Sequence, residues 1–342
     1  MPVLANEHID RALTNLSILY KNDTLVGDLV APPLPVDKRS NKYFVYNKDS
    51  FLRASGTDAN GNPLSVRRPG TAAATVDWDL STQSYYCEEL ALNTLVTDAS
   101  VKYADDPLQP DIDGTYLVTE RVKLDNEVQV AKLALTSANY PTAGKVSLTS
   151  NSSTGTSWYD YNSSASNPFT DTNTAKAYVR TQIMRDANTM LLSYQQALTL
   201  MDHPIYKDQV KYTAPEGINF AGVVKNFRGL ETIVASQQIA SNVEGAAFTR
   251  SNVWVDDNGY AIAMVYYRDA GTGPRTVHSF RTFDAPDDTT GVRGYQIRRW
   301  RDDKLKGQYI ECSVTRDWKA VAIDASNQPV GAYLISDAGT PV

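Results

Sequence analysis

The chain is poor in the residues from which most active centres and membrane anchors are built. Its 342 residues include two cysteines, Cys87 and Cys312, and three histidines, His8, His203 and His278. One possible cysteine pair makes no disulfide framework, so buried free thiols are expected. No histidine falls in a metal-ligand spacing such as HExxH, and neither metal nor cofactor is expected. His203, before a proline at a helix end, reads as a cap for helix carbonyls. There is no Walker A loop, no GxGxxG after a strand and no GxSxG elbow. Gly271-Thr272-Gly273-Pro274 joins two strands and opens no helix, so it is no phosphate cradle. A membrane-length apolar run and a secretory leader are also missing, since the opening MPVLANEHIDRAL is polar and periodic. Positive charge is short as well. At a net charge of −6 the surface does not neutralise phosphates, so any nucleic acid nearby is not gripped through a basic field.

What is present is tyrosine, 20 copies against 8 phenylalanines, a residue suited to half-wet interfaces and equally to amphipathic strand positions. The length allows two domains or one large domain with insertions. Residues 42–90 read as one long β-hairpin. KYFVYNKDSFLR alternates large apolar and polar side chains, the tip carries Asn60-Gly61, and a return arm runs through Val66, Val76, Trp78 and Leu80 to Tyr85-Tyr86. Arms of about a dozen residues at ~3.3 Å each would project on the order of 40 Å. Such a ribbon has no core and is marginal alone, so a partner must cover it, most simply a second copy of the chain. Arg53, Asn60, Gly61, Arg67, Arg68 and Trp78 are therefore the candidate inter-subunit contacts. Arg298-Arg299-Trp300-Arg301 is read in the same way, as pairing with acids of a neighbour.

Elsewhere the periodicity predicts a helix over 6–21 and an extended strap at Pro32–Pro35, then a helix to about 139. The buried stripe expected on that helix is Leu117, Leu124, Val128, Ala131 and Leu135, with Glu120, Lys123 and Glu127 on a solvated face. Residues 142–174, rich in Ser, Thr and Asn, read as a surface insertion around a packed aromatic cluster at Trp158, Tyr159 and Tyr161. A sugar-binding patch is the weaker alternative. Helices are expected at 174–185, 194–201 and 219–227. Strands are expected at 189–192, 230–239, 260–267, 277–283, 295–300, 309–318 and 332–335. Acidic pairs such as Asp256-Asp257 and Asp287-Asp288 adjoin Gly, Pro or Asn and read as turns, not as facing catalytic carboxylates.

The order of these parts resembles the major capsid proteins of tailed bacteriophages with the Hong Kong 97-type fold. The resemblance rests on Pro32–Pro35 followed by KYFVYNKDSFLR, on Arg68-Pro69-Gly70-Thr71 and on Tyr85-Tyr86-Cys87-Glu88-Glu89. It continues through the long helix with Leu124 and Glu127, Asn188-Thr189-Met190-Leu191-Leu192, Leu200–Pro204 and the ending Ala332-Tyr333-Leu334-Ile335-Ser336-Asp337-Ala338. It implies an α+β capsid fold with an N-terminal arm (1–41) and an extended hairpin loop (42–84). A peripheral domain (85–186) would follow, with a spine helix at about 112–138 and the 142–174 insertion. An axial domain (187–303), a return through the peripheral sheet (304–328) and a final axial strand (329–342) would complete it. The implied function is a non-enzymatic shell subunit that assembles into hexamers and pentamers of an icosahedral head enclosing DNA. Such a head forms in the host cytoplasm, with portal, scaffold and decoration proteins as possible partners. No Lys–Asn–Glu crosslinking triad is identifiable, and no scaffolding region is visible before the arm. An encapsulin-like compartment protein is the rival within the fold. A secreted β-rich carbohydrate-active enzyme is the rival outside it.

Overall fold

The computed structural model describes residues 22, 24–46, 54, 56, 61, 63–67, 69–104, 108–149, 156–210, 224–242, 246–269, 277–288 and 291–340. The helix expected at 6–21, the hairpin positions Arg53, Asn60 and Arg68, and the 271–274 loop lie outside them. The strap begins with a single helical turn, α1 (Gly27–Val30), and becomes strand β1 (Pro33–Pro35). The hairpin base follows, β2 (Ser40–Tyr46) and β3 (Leu80–Tyr86), and then β4 (Glu88–Thr97), the short α2 (Asp98–Lys102) and the long α3 (Pro110–Leu135). Pro110 sits in the first turn of α3, where its missing N–H costs nothing.

Two sheets organise the rest. The first, of five strands, contains β1, β4, β12 (Phe280–Asp284), β13 (Gln296–Asp302) and the 14-residue β14 (Gly307–Ala320). Beside β14 lie β4, paired antiparallel from Gly307↔Thr97 to Arg316↔Glu88, and β13, paired from Gln296↔Ser313 to Asp302↔Gly307. Helix α3 covers this sheet through Val118 and Val122, which pack with Val96, Ile310, Cys312 and Val314. Gly114 lets the helix come close, because a Cβ there would sit 3.2 Å from the side chains of Thr94 and Val96.

The second sheet, of six strands, runs β5 (Lys145–Leu148), β15 (Ala332–Asp337), β11 (Ala261–Tyr266), β6 (Thr189–Ser193), β8 (Leu230–Ala235) and β7 (Asn226–Phe227). Its central strands β6, β11 and β15 are buried along their whole length, which is why they read as near-continuous apolar runs. Helices α4 (Pro168–Ile183), α5 (Tyr194–Asp202) and α6 (Pro204–Val210) accompany this sheet, and β9 (Gln238–Ala240) pairs separately with β10 (Arg250–Asn252).

Several expectations need correction. The ladder of the hairpin covers Ser40↔Tyr86 to Tyr46↔Leu80, while the described return arm, 69–79, is irregular and exposed. Pro69-Gly70 opens it, Gly70 taking a φ of +81°. The buried stripe of α3 is Gly114, Val118, Val122, Asn126, Glu127, Val130, Ala131, Ala134 and Leu135, whereas Leu117 is exposed. The expected Leu124, Val128, Ala131 and Leu135 do pack into the core, the first two partly buried against it. The 142–174 stretch is not simply a surface insertion. It supplies β5 and the start of α4, whose Asn167 cap accepts from Phe169 N and Thr170 N, and it carries Trp158 with no exposed surface. Residues 226–227 form a strand, not the end of the helix expected at 219–227.

Candidate inter-subunit surface

The hairpin is anchored at its base and bare beyond it. Tyr85 stacks on Phe283 with centroids 4.6 Å apart, and Tyr43 reaches the same ring at 5.4 Å. Backbone bonds run from Cys87 N to Arg39 O (2.7 Å) and from Tyr86 N to the Asp317 carboxylate (2.9 Å). Gln83 donates to Asn327 (2.7 Å), and the Arg39 guanidinium pairs with Asp288 and lies 4.0 Å from Glu89. Both cysteines are free and buried. Burial pushes the Cys87 thiol up to about 11, so it stays protonated and inert near neutral pH.

Past this anchor the apolar side chains face solvent. Trp78 is 68% exposed, Phe44 67% and Val76 83%. Of the predicted contact residues, Gly61, Arg67 and Trp78 are exposed on the loop. Gly61 has a φ of +79°, as a tight turn requires. Arg67 Nε donates to Thr71 O at 2.7 Å, which holds its fork against its own loop. The Arg298–Arg301 run has partners within the chain. Arg298 pairs with Asp287, Arg299 donates to Thr115 Oγ1 (2.9 Å), and Arg301 spans Asp98 (2.7 Å) and Asp303 (2.9 Å). Their partners come from the short helix α2, the long helix α3 and the turns beside β13.

Sequence reasoning missed the polar node that holds the strap to the body. Glu127, placed on a solvated face by its spacing, is 1% exposed. Its carboxylate accepts from Val26 N (2.9 Å) and Gly27 N (2.7 Å) at the start of α1 and from the Trp254 indole (2.8 Å). Burial raises its pKa, and these three donors pull the other way. The residue before it on α3, Asn126, accepts from Trp318 Nε1 (3.0 Å) and from Arg316 (3.2 Å). Arg316, 4% exposed, also donates to Asp28 (3.0 Å), lies 3.5 Å from Asp284 and stacks over the Tyr295 ring at 4.8 Å. Burial raises the Asp284 pKa, opposed by Arg316. A Cβ on Gly27 would lie 2.6 Å from Glu127 Oε2, so only glycine admits the carboxylate there. One signal was available: Glu127 lies within the apolar half of α3.

The Trp158 region packs inward and offers no sugar-stacking face at that residue. Its backbone N–H goes to Asp337 (3.0 Å) and its indole N–H to Asp171 (2.7 Å). His203 does not cap carbonyls with its ring. Nδ1 accepts from Ile205 N at 3.3 Å, and Nε2 meets Ser166 Oγ at 3.2 Å. The described residues hold no cluster of three or more metal-binding side chains.

A spine helix on a sheet that sends out a bare hairpin, joined to a second sheet flanked by helices, is the Hong Kong 97-type capsid fold. A phage-related protein from Bordetella bronchiseptica shares it at a TM-score of 0.63, with 21% identity, covering 94% of this chain and 95% of that one. The mature capsid protein of bacteriophage PhiM1 does so at 0.59 with 12% identity, covering 96% and 91%. An encapsulin from Synechococcus elongatus does so at 0.54 with 12% identity, covering 99% of each chain. In sequence, the chain is 26% identical to the major capsid protein of Burkholderia phage BcepMu over 236 residues, 68% of this chain and 69% of that one. No family model matches. The resemblance drawn from the sequence holds: the chain is a homologue of phage major capsid proteins.

Proposed function

We propose that this protein is the shell subunit of a tailed-phage head, with copies arranged in hexamers and pentamers around the genome. The hairpin of one copy would lie over the peripheral part of the next. The observation that carries this is the contrast along the hairpin. Its base is fixed by stacking and hydrogen bonds, while Phe44, Val76 and Trp78 stand in solvent. A projection rigidly aimed yet uncovered is half an interface. The division into arm (1–41), extended loop (42–84), peripheral and axial parts is proposed on the same ground, as are assembly in the host cytoplasm and contacts with portal, scaffold or decoration proteins. We also read the role as structural, not enzymatic. The acidic pairs support this where they form turns, as when Asp256 accepts from Asn258 N (2.9 Å) and Tyr260 N (2.8 Å). The phage reading is favoured over a cargo compartment because the curated relatives are phage capsid proteins. Electron microscopy of the purified protein tests it. Closed icosahedral particles or hexameric rings are expected, and a uniform monomer at high concentration would overturn the assignment.

A further inference from the structure

His203 stands where three segments meet, and its hydrogen bonds fix its proton. It is 2% exposed at the corner between α5 and α6. The ring Nδ1 lies 3.3 Å from Ile205 N, a backbone donor, so Nδ1 must be unprotonated. The single imidazole proton is then on Nε2, facing Ser166 Oγ at 3.2 Å. Ser166, 1% exposed, turns its own proton to Ser157 O at 2.7 Å. The chain of donors therefore runs from imidazole to serine to carbonyl. That direction excludes a nucleophilic serine, since this histidine gives a proton to the hydroxyl and takes none. The same direction makes the histidine a clasp. It ties the 156–166 segment, which carries the buried Trp158, to the first turn of α6.

A second proton has no place in this arrangement. With both nitrogens as donors, Nδ1–H would point at Ile205 N–H, and the bond that starts α6 would become a repulsion. The groups around the ring offer little compensation. Tyr161 faces it edge-on at 6.0 Å, Tyr206 lies on α6, and Asp160 is in the clasped segment. Asp202 is already paired with Lys207 at 2.9 Å, while Asp171 and Asp337 are engaged by Trp158. Among the described residues, neither ring nitrogen meets a carboxylate. We propose that His203 is an acid-released clasp, whose protonation frees residues 156–166 from the α5–α6 corner while the central sheet strands stay closed. This device needs only one copy of the chain and is independent of the shell assignment.

Burial holds the imidazole below its ordinary 6.5. The closed form thus binds the proton less well than the open form, and its stability is intact above that value. It is lost as the pH falls toward the lowered value, with opening rising up to about tenfold per pH unit in between. Hydrogen exchange by mass spectrometry, corrected for intrinsic rates, reads this on the full-length protein. Peptides over 156–166 and 203–207 should lose protection between pH 7.5 and pH 5, while 261–266 should not. His203→Asn keeps an acceptor for Ile205 N without a titrating ring, and its protection should be flat over the same range. Equal acid loss in wild type and H203N, or none in wild type, would overturn the clasp. Should H203N fail to fold, NMR of the imidazole decides. An Nε2–H tautomer titrating below 6.5 is expected, and the Nδ1–H tautomer or an ordinary midpoint would reject the proposal.

Discussion

At the scale of single residues, Glu127 shows how a charge is made tolerable inside a protein. It is taken out of water and given two backbone donors and an indole in exchange. Its raised pKa means that the folded chain holds the proton more tightly than the unfolded one. Stability from this group is full below its ordinary 4.5 and is lost as the pH rises through the higher folded value. Denaturant titrations of unassembled wild type and Glu127→Gln across pH 4 to 7 should therefore diverge. The advantage of wild type should shrink as the pH rises, because glutamine does not titrate. A constant difference would place the carboxyl outside the coupling described. Beyond the apolar half of α3 around it, the local sequence does not announce this role, since Val26 and Gly27 lie about a hundred residues before Glu127, and Trp254 lies 127 residues after it.

At the scale of elements, strap, spine helix and long strand are joined by one guanidinium. Arg316 reaches Asp28 on α1, Asn126 on α3, Asp284 on β12 and the Tyr295 ring. Removing it leaves two carboxylates behind, one of them buried, and breaking a buried pair costs about 3–5 kcal/mol. Arg316→Met should lower subunit stability by that order in urea unfolding, and adding Asp284→Asn should recover part of it. If R316M unfolds like wild type, the node is ornamental. What was legible in the sequence follows from this level. The strands β6, β11 and β15 could be read because burial on both faces writes itself into composition. The existence of α3 was legible, and so was the part of its packed face from Leu124 to Leu135, but the part against the five-stranded sheet was not. Gly114, Val118 and Val122 are small enough to meet the sheet, whereas Leu117 is exposed. The hairpin was legible from its alternation, and its irregular return arm was not, because the Pro-Gly break competes with apolar residues that read as strand. The partners of Arg299 on α3 and of Arg301 on α2 were not legible, because Thr115 and Asp98 lie about two hundred residues away.

At the scale of the whole molecule, the free subunit leaves Trp78, a proposed contact, in water. Buried aromatic anchors at interfaces are typically worth about 2 kcal/mol or more. Trp78→Ala should thus raise the concentration needed for shell formation by about thirtyfold, read by light scattering, with subunit melting unchanged. Unaltered assembly would move the contact elsewhere on the loop. Such a surface must also avoid sticking indiscriminately, and the five-stranded sheet suggests how it does. Val36 N donates to Asp284 O and Thr282 N to Pro32 O, so the even positions of the strap face β12. Pro33 and Pro35 then occupy the outward positions, where a proline has no hydrogen to offer an arriving strand. Beside β12, on the same flank of β14, β13 carries three arginines. This flank therefore does not invite another sheet to continue it, which removes one route to endless filaments.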